Sequence, residues 1–265
     1  MQPLEDADIS IFRTVRFVLT DMDETLTYNG RLSSETYAAL EQLQTAGVKV
    51  IPVTAAPAGW CDQMARMWPI DGVIGENGGL FFRRASQGHG VERYFWHEEQ
   101  RRLSIERELS DIGQNIKQVL PFATFADDQP FRQTSLAFSQ PHDPAERDAI
   151  LAALKAASLN ITVNNLWVLG WIGEYDKLSM SRRILLEHYD LDISTDPDAV
   201  LYTGDSTNDA PMFAFFRHSV GVSTVSRFLD QIPQPPNWIT VGPGGRGFVE
   251  AARVVMAARQ RDAGS

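Results

Sequence analysis

Two aspartates that follow a short apolar segment are the first residues in the chain able to do chemistry. Asp21 and Asp23 come directly after the segment 17–20 and just before a threonine. In an extended chain, residues two apart point to the same side, so these carboxylates would lie close together and repel each other. A divalent cation relieves such repulsion, and Mg²⁺ prefers hard oxygen ligands. The stretch by itself fits either a metal site or a solvated acidic turn.

Three further polar residues stand at the ends of predicted elements. Thr54 follows the apolar segment 48–53, Asp205 follows a predicted strand at 199–203, and Lys177 opens a predicted helix. The carboxyl ends of parallel strands meet at one edge of a sheet, so residues far apart in sequence can come together there. The sequence therefore predicts a polar site at one sheet edge.

The elements that must position these residues alternate between strand and helix. The predicted strands lie at 16–20, 48–53, 72–75, 80–82, 199–203, 219–222 and 238–241, and the predicted helices at 34–44, 58–67, 178–188 and 248–259. Such alternation is typical of an α/β fold with a doubly wound parallel sheet. Asn29-Gly30 predicts a tight turn, and residues 1–14 are predicted to form a short polar arm.

The rhythm is interrupted in the middle of the chain. Predicted helices at 98–120 and 144–157 and strands at 134–139, 161–163 and 166–171 no longer alternate regularly. This change indicates an α+β module inserted into the α/β core. We therefore predict a core formed by 1–83 and 172–265 and an inserted cap domain at 84–171.

Composition limits the possible partners and compartment. The chain has 265 residues, 43% hydrophobic content and a formal net charge of −10, and its one cysteine is Cys61. The negative charge argues against nucleic acid or an anionic membrane as the main partner. No apolar segment is long enough to span a bilayer, and a single cysteine fits the reducing cytoplasm. The oligomeric state is not predicted.

Taken together, the motifs resemble those of the haloacid dehalogenase superfamily. Asp21–Leu26 is similar to the first motif of that family, Thr54 to the second, Lys177 to the third and Gly204–Asp209 to the fourth, while Glu76–Gly79 resembles a turn that precedes the cap. The resemblance is to subclass IIB phosphatases, which carry an α/β cap after the third core strand of a Rossmann-like sheet. That group includes sugar-phosphate phosphatases and phosphomannomutase.

The resemblance implies a phosphatase that uses Mg²⁺ and acts on a small phosphorylated metabolite, such as a sugar phosphate. Asp21 would be the nucleophile and Asp23 the acid and base. The Asp21 carboxylate, the Asp23 backbone carbonyl and the Asp205 carboxylate would hold the metal. Thr54 and Lys177 would bind the phosphoryl oxygens.

Asn208 would bind the phosphoryl group or orient the ligands, and Asp209 would support the metal ligands from behind. A retained acid at Asp23 favours phosphoryl transfer over cleavage of carbon–halogen bonds. A phosphomutase and a non-catalytic phosphate-binding regulator are the alternative functions. Intact Asp21, Asp23, Lys177 and Asp205 argue against the regulator, because binding alone would not require all four.

The second motif departs from the family pattern. Ala55-Ala56-Pro57 stands where a glycine and an arginine usually follow the threonine. Arg66 or an arginine of the cap could replace the missing one, and the sequence does not choose between them. Arg132 and Gln133 could bind a polar leaving group, but we expect them on a solvated face of the cap.

Aromatic and histidine residues outside the motifs are assigned structural roles. Residues 94–97 are expected to pack in the cap or between cap and core. His89, His142, His188 and His218 lack metal-ligand spacing, so we expect them at the surface.

Overall fold

The computed structural model describes residues 1–164 and 166–262. Up to residue 95 the chain forms, in order, β1 (Gln2–Pro3), β2 (Phe17–Thr20), β3 (Thr27–Tyr28), β4 (Arg31–Leu32), α1 (Ser34–Thr45), β5 (Lys49–Pro52), α2 (Ala58–Met67), β6 (Val73–Gly75), β7 (Leu80–Arg84) and β8 (Val91–Phe95). The predicted turn at Asn29-Gly30 joins β3 to β4, and both of its residues have positive φ angles, 50° and 71°.

The remaining elements complete the insertion and the core. They are α3 (Glu99–Val119), β9 (Ser135–Ser139), α4 (Pro144–Ala156), β10 (Asn160–Val163), β11 (Trp167–Trp171), α5 (Lys177–Tyr189), β12 (Val200–Gly204), α6 (Ala210–Phe215), β13 (His218–Gly221), β14 (Trp238–Ile239) and α7 (Gly244–Asp262). Short 3-10 turns connect several of them.

Within the described residues, six parallel strands form the central sheet in the order β1-β14-β13-β12-β2-β5. Neighbouring side chains along β2 point to opposite faces, as the pleat of a strand requires. Val18 packs in the apolar layer that includes Leu40 of α1 and Phe248 of α7, whereas Leu19 packs in the layer that includes Ile184 of α5 and Phe213 of α6. The predicted α/β, doubly wound fold is confirmed.

The strand predicted third in the parallel sheet is attached to it more loosely. β6 touches the edge of the sheet through one parallel bridge between Val53 and Ile74. Its ladder is instead antiparallel, in the order β6-β7-β8. This small sheet leads the chain out of the core toward the insertion.

The insertion has its own sheet and its own core. Antiparallel strands in the order β10-β11-β9 form the sheet, and α3 and α4 cover one face of it. Val168 of β11 faces those helices, and the next residue, Leu169, packs in a separate cluster with Ala55 of the core. The other face of the cap sheet therefore rests on the loop that follows β5.

The predicted boundaries of the cap, 84 and 171, stay a prediction. Residues 91–95 fall inside that range, yet they pair with β7 and bring Tyr94 against His188 of α5, with ring centroids 4.3 Å apart. Residues 165 and 263–265 of the predicted ranges lie outside the described residues.

The N-terminal segment does not form the polar arm that the sequence predicted. Gln2 and Pro3 pair with Trp238 and Ile239 at the edge of the central sheet. Leu4 and Phe12 are buried and anchor the segment. The sequence did not predict this, because isolated apolar residues in a polar segment produce no periodic pattern. None of the described helices combines the length and the apolar character needed to cross a membrane.

Candidate active site

Two strand ends are placed side by side by the sheet. β2 and β12 are neighbours, with Thr20 opposite Thr203, so the residues that follow them, Asp21 and Asp205, are adjacent. The Asp21 backbone N–H donates to the Thr203 carbonyl at 2.8 Å. Both carboxylates are buried. Sheet register alone thus concentrates negative charge at the carboxyl edge.

Lys177 supplies a positive charge to this edge. It is the first residue of α5, whose start is fixed by a capping box between Asp176 and Ser179. Its Nζ lies 2.7 Å from Asp21 Oδ1 and 2.6 Å from Asp209 Oδ1, and the side chain is 2% exposed. Burial lowers the pKa of Lys177, but the carboxylates of Asp209 and Asp21 outweigh burial and raise it, so the ammonium stays charged.

One lysine does not balance the carboxylates around it. Burial, with smaller contributions from Asp209 and Asp23, raises the pKa of Asp21 to about 7 against the attraction of Lys177. A cation bound beside Asp21 would favour its ionised form. Carboxylate oxygens of Asp21, Asp205 and Asp209 lie within 4.8 Å of one another, and hard oxygen donors of this kind suit Mg²⁺.

Asp209 has its oxygens occupied by the protein. Its Oδ1 also accepts from the Tyr202 hydroxyl at 2.6 Å, and its Oδ2 accepts from the backbone N–H groups of Asp205 and Ser206 at 3.0 and 3.1 Å. A side chain on Gly204 would collide with this carboxylate. The arrangement suits a residue that holds Lys177 and the loop after β12 in place.

Asp23 differs from Asp21 in its surroundings. It is half-buried and lines a cavity beside Asp205. Burial raises the pKa of Asp23 to about 6, although Lys177 acts in the opposite direction. A carboxyl group that titrates near neutral pH and reaches a cavity is suited to giving and taking protons.

The loop after β5 is held rigid around Thr54. The buried Thr54 hydroxyl accepts from the Ala56 backbone N–H at 3.0 Å, which leaves its own O–H to donate to a ligand. The Thr54 carbonyl accepts from the Asn77 N–H at 3.0 Å, and the Ala56 carbonyl accepts from the Glu76 N–H at 3.0 Å. The backbone of this loop is thus tied to the turn that precedes the cap.

Asn208 lies on the short turn after β12. Its Oδ1 accepts from the Ser206 hydroxyl at 2.6 Å, which orients the amide and leaves its NH₂ group as a donor. The roles assigned to this residue and to the other site residues stay predictions, but the structure brings Asp21, Asp205, Lys177 and Asp209 into one cluster.

Glu76 is a buried acid whose role the sequence did not reveal. Its carboxylate accepts from the Ala58 and Gln133 N–H groups, from the N–H and hydroxyl of Thr134 and from the Ser135 hydroxyl, at 2.7 to 3.0 Å. It therefore joins the core to the cap. Its signal in the sequence was an acid within a run of glycines and apolar residues.

The cap contributes an arginine to the loop after Thr54. Arg132 Nη1 donates to the Ala55 carbonyl at 3.0 Å, and the guanidinium forms a buried pair with Asp128 at 2.7 Å. The expectation that Arg132 lies on a solvated face is wrong, because this pairing allows the charge to be buried. Arg66 instead forms an exposed pair with Asp62 at 2.6 Å.

His218 is placed differently from expectation, and Asn77 is a buried polar residue to which the sequence assigned no role. His218 is 3% exposed rather than at the surface, with its ring against Phe12. Asn77 is also buried, and its amide has no partner among the described residues. Asn77 adopts φ 57°, and its backbone N–H donates to the Thr54 carbonyl.

Comparison with known proteins agrees with this geometry. Residues 18–130 match the family model described as haloacid dehalogenase-like hydrolase. The matched segment, the fold and the order of the polar strand ends make the chain similar to haloacid dehalogenase-like hydrolases.

The relatives cover nearly the whole chain. A phosphoglycolate phosphatase from Methanoculleus marisnigri is 25% identical over 243 residues, which are 90% of this chain and 96% of that protein. The crystal structure of a Thermoplasma acidophilum protein superposes with a TM-score of 0.71 at 19% identity, covering 91% of this chain and 98% of that one. The Synechocystis sucrose-phosphatase, solved with sucrose and phosphate, has a TM-score of 0.63 at 14% identity and covers 90% and 97%.

Proposed function

We propose that the protein is a Mg²⁺-dependent phosphatase that hydrolyses a small phosphorylated metabolite through an aspartyl-phosphate intermediate. The observation that carries the proposal is the buried cluster in which Lys177 bridges Asp21 and Asp209 beside Asp205. A sugar phosphate is the substrate expected from the sequence, and a sucrose-phosphatase shares the fold. The relative similar in sequence is named for phosphoglycolate, a phosphorylated acid that is smaller than a sugar phosphate.

In the proposed reaction the Asp21 carboxylate attacks phosphorus as the bond to the leaving oxygen breaks, and Asp23 gives its proton to that oxygen. Asp23 then takes a proton from water, which attacks phosphorus and releases phosphate and Asp21. Thr54, Lys177 and Asn208 hold the phosphoryl oxygens. Asp21, Asp205 and the Asp23 carbonyl would hold Mg²⁺, and the bound ion would supply positive charge that offsets the repulsion between carboxylate and phosphate.

Replacing the nucleophile tests the proposal directly. We expect the wild type to release phosphate from a panel of sugar phosphates, phosphorylated acids and p-nitrophenyl phosphate in the presence of Mg²⁺. Asp21→Asn should lower kcat by at least about 10³-fold, because an amide cannot form the intermediate. Inorganic phosphate release is the measurement, and circular dichroism checks the fold.

The matched control is Asp6→Asn, which alters an exposed aspartate outside the cluster of Asp21, Asp205 and Asp209 and should retain full activity. Normal turnover in the Asp21→Asn protein would contradict the nucleophile assignment. Absence of phosphate release from every compound by the wild type would contradict the proposed activity.

A further inference from the structure

A cavity of about 330 Å³ opens beside the two aspartates. Asp23 and Asp205 form part of its wall on the core, and Leu166 approaches it from the cap, so the cavity lies between the two parts of the protein. Its volume is near the lower end of the range of about 300–1,000 Å³ found for small-molecule sites. The position beside Asp23 and the small size fit a compact leaving group.

A short turn after β13 forms another side of the cavity. The 3-10 turn Ser223–Arg227 places Thr224 and Arg227 three residues apart, and side chains at that spacing lie on the same face of such a turn. Both line the cavity, with Phe228 beside them. The 6% exposed Thr224 has a buried hydroxyl without a hydrogen-bond partner among the described residues. A buried hydroxyl left in this way is costly unless a ligand completes it.

Arg227 is a positive group at the cavity that can bind a negatively charged part of a substrate. Lys177 is engaged by Asp21 and Asp209, and Arg132 is engaged by Asp128. In the described part of the chain, no carboxylate forms an ion pair with Arg227. The Glu24 carboxylate, which also lines the cavity, accepts from the Asn29 N–H at 2.8 Å.

We propose that this cavity is the leaving-group site and that Arg227, with Thr224, binds the carboxylate of a small phosphorylated hydroxy acid. The inference rests on the proposed phosphatase function and names its substrate class. A guanidinium recognises a carboxylate through two parallel hydrogen bonds, and the hydroxyl at the inner end of the same face adds a third donor. Arg227 is then a specificity residue that acts on the part of the substrate away from phosphorus.

The test compares two substrates of similar size that differ in one functional group. Phosphoglycolate carries a carboxylate where 2-hydroxyethyl phosphate carries a neutral CH₂OH group. Arg227→Gln should lower kcat/KM for phosphoglycolate by about 10- to 100-fold, mainly through KM, because it removes charge-assisted hydrogen bonds. The value for the neutral substrate should change by less than about threefold, since a polar side chain on the surface of the cavity is retained.

Further variants define the site. Arg227→Lys should retain part of the preference for the acid because it keeps the charge and loses the paired geometry. Thr224→Val should raise KM for the acid more than for the neutral substrate. Arg107→Gln, an exposed arginine on α3, is the matched control and should leave both substrates unaffected.

The outcomes separate this inference from the proposed function. Suppose that the wild type hydrolyses sugar phosphates or p-nitrophenyl phosphate. If Arg227→Gln then lowers kcat/KM equally for both test substrates, or for neither, the inference is overturned and the phosphatase proposal stands. A wild type that hydrolyses none of these compounds with Mg²⁺ overturns the phosphatase proposal and the inference with it.

Discussion

The two aspartates after β2 are chemically alike but occupy different environments. Asp21 is buried against Lys177, whereas Asp23 reaches the cavity. Their types and spacing could be read from the sequence. The division of roles is supported by the environment that residues from other elements create around each carboxylate.

A buried histidine provides a prediction about pH at the residue scale. Burial, with a smaller contribution from Arg217, lowers the pKa of His218 below its ordinary value of 6.5, while Asp198 acts in the opposite direction. As pH falls below 6.5, the unfolded chain therefore binds the proton first, and the free energy of unfolding falls until the pKa of the folded protein is reached. The slope contributed by this residue is at most about 1.4 kcal/mol per pH unit.

His218→Leu should reduce this acid sensitivity and change the free energy of unfolding at pH 7.5 by less than about 1.5 kcal/mol, because the side-chain volume is similar. Urea unfolding between pH 7.5 and 5.5 measures both quantities. His142→Leu, at an exposed position, is the control. Parallel pH dependence in the wild type and His218→Leu would show that His218 does not contribute.

At the scale of elements, the turn between β6 and β7 connects core and cap. Glu76 receives donors from α2 and from the segment that enters β9, and the same turn fixes the loop after Thr54. Because Arg132 of the cap also contacts that loop, the placement of the cap and the geometry around Thr54 depend on each other.

Glu76→Gln should lower the free energy of unfolding by about 3 kcal/mol. The substitution places an amide NH₂ group against buried N–H and O–H donors and removes the negative charge of the carboxylate that accepts from them. The loss should be measured by urea unfolding, with hydrogen exchange at residues 133–139 reporting on the cap. Glu187→Gln, which alters an exposed pair with Arg183, should cost less than about 0.5 kcal/mol. Similar losses in both variants would contradict a linking role for Glu76.

At the scale of the whole molecule, a formal net charge of −10 surrounds a site that must admit an anion. The buried lysine, the proposed metal and Arg227 are the positive groups that would make this possible. Metal binding should therefore be visible in the stability of the entire fold, because an ion that binds only the native state shifts unfolding by mass action.

Mg²⁺ at 100 times its dissociation constant should raise the free energy of unfolding by about 2.7 kcal/mol. Asp205→Asn should abolish most of this gain, because it removes a carboxylate from the proposed metal site. Thermal unfolding with Mg²⁺ or with a chelator is the measurement. Asp230→Asn, an exposed substitution, should behave as the wild type. A full Mg²⁺ response in Asp205→Asn would contradict the proposed ligand set.

The sequence by itself determined the α/β class and most of the individual elements. Strand periodicity, helix caps and polar residues at strand ends are local patterns, and local patterns suffice to predict that Asp21, Thr54 and Asp205 end elements of one sheet. The order of the family motifs then indicated the chemistry.

Only the tertiary structure decided how distant residues satisfy one another. Arg132 and Ala55, which are in contact, are 77 positions apart in the sequence, and Glu76 and Ser135 are 59 positions apart. No local pattern in the sequence predicts either contact. Whether a charged residue or His218 is buried depends on which side chains of other elements pack against it. From the sequence alone, a polar residue is therefore predicted to be exposed. Thr224 and Arg227 could not be singled out from the sequence for the same reason. They become candidate binding residues only because core and cap together form the cavity that they line.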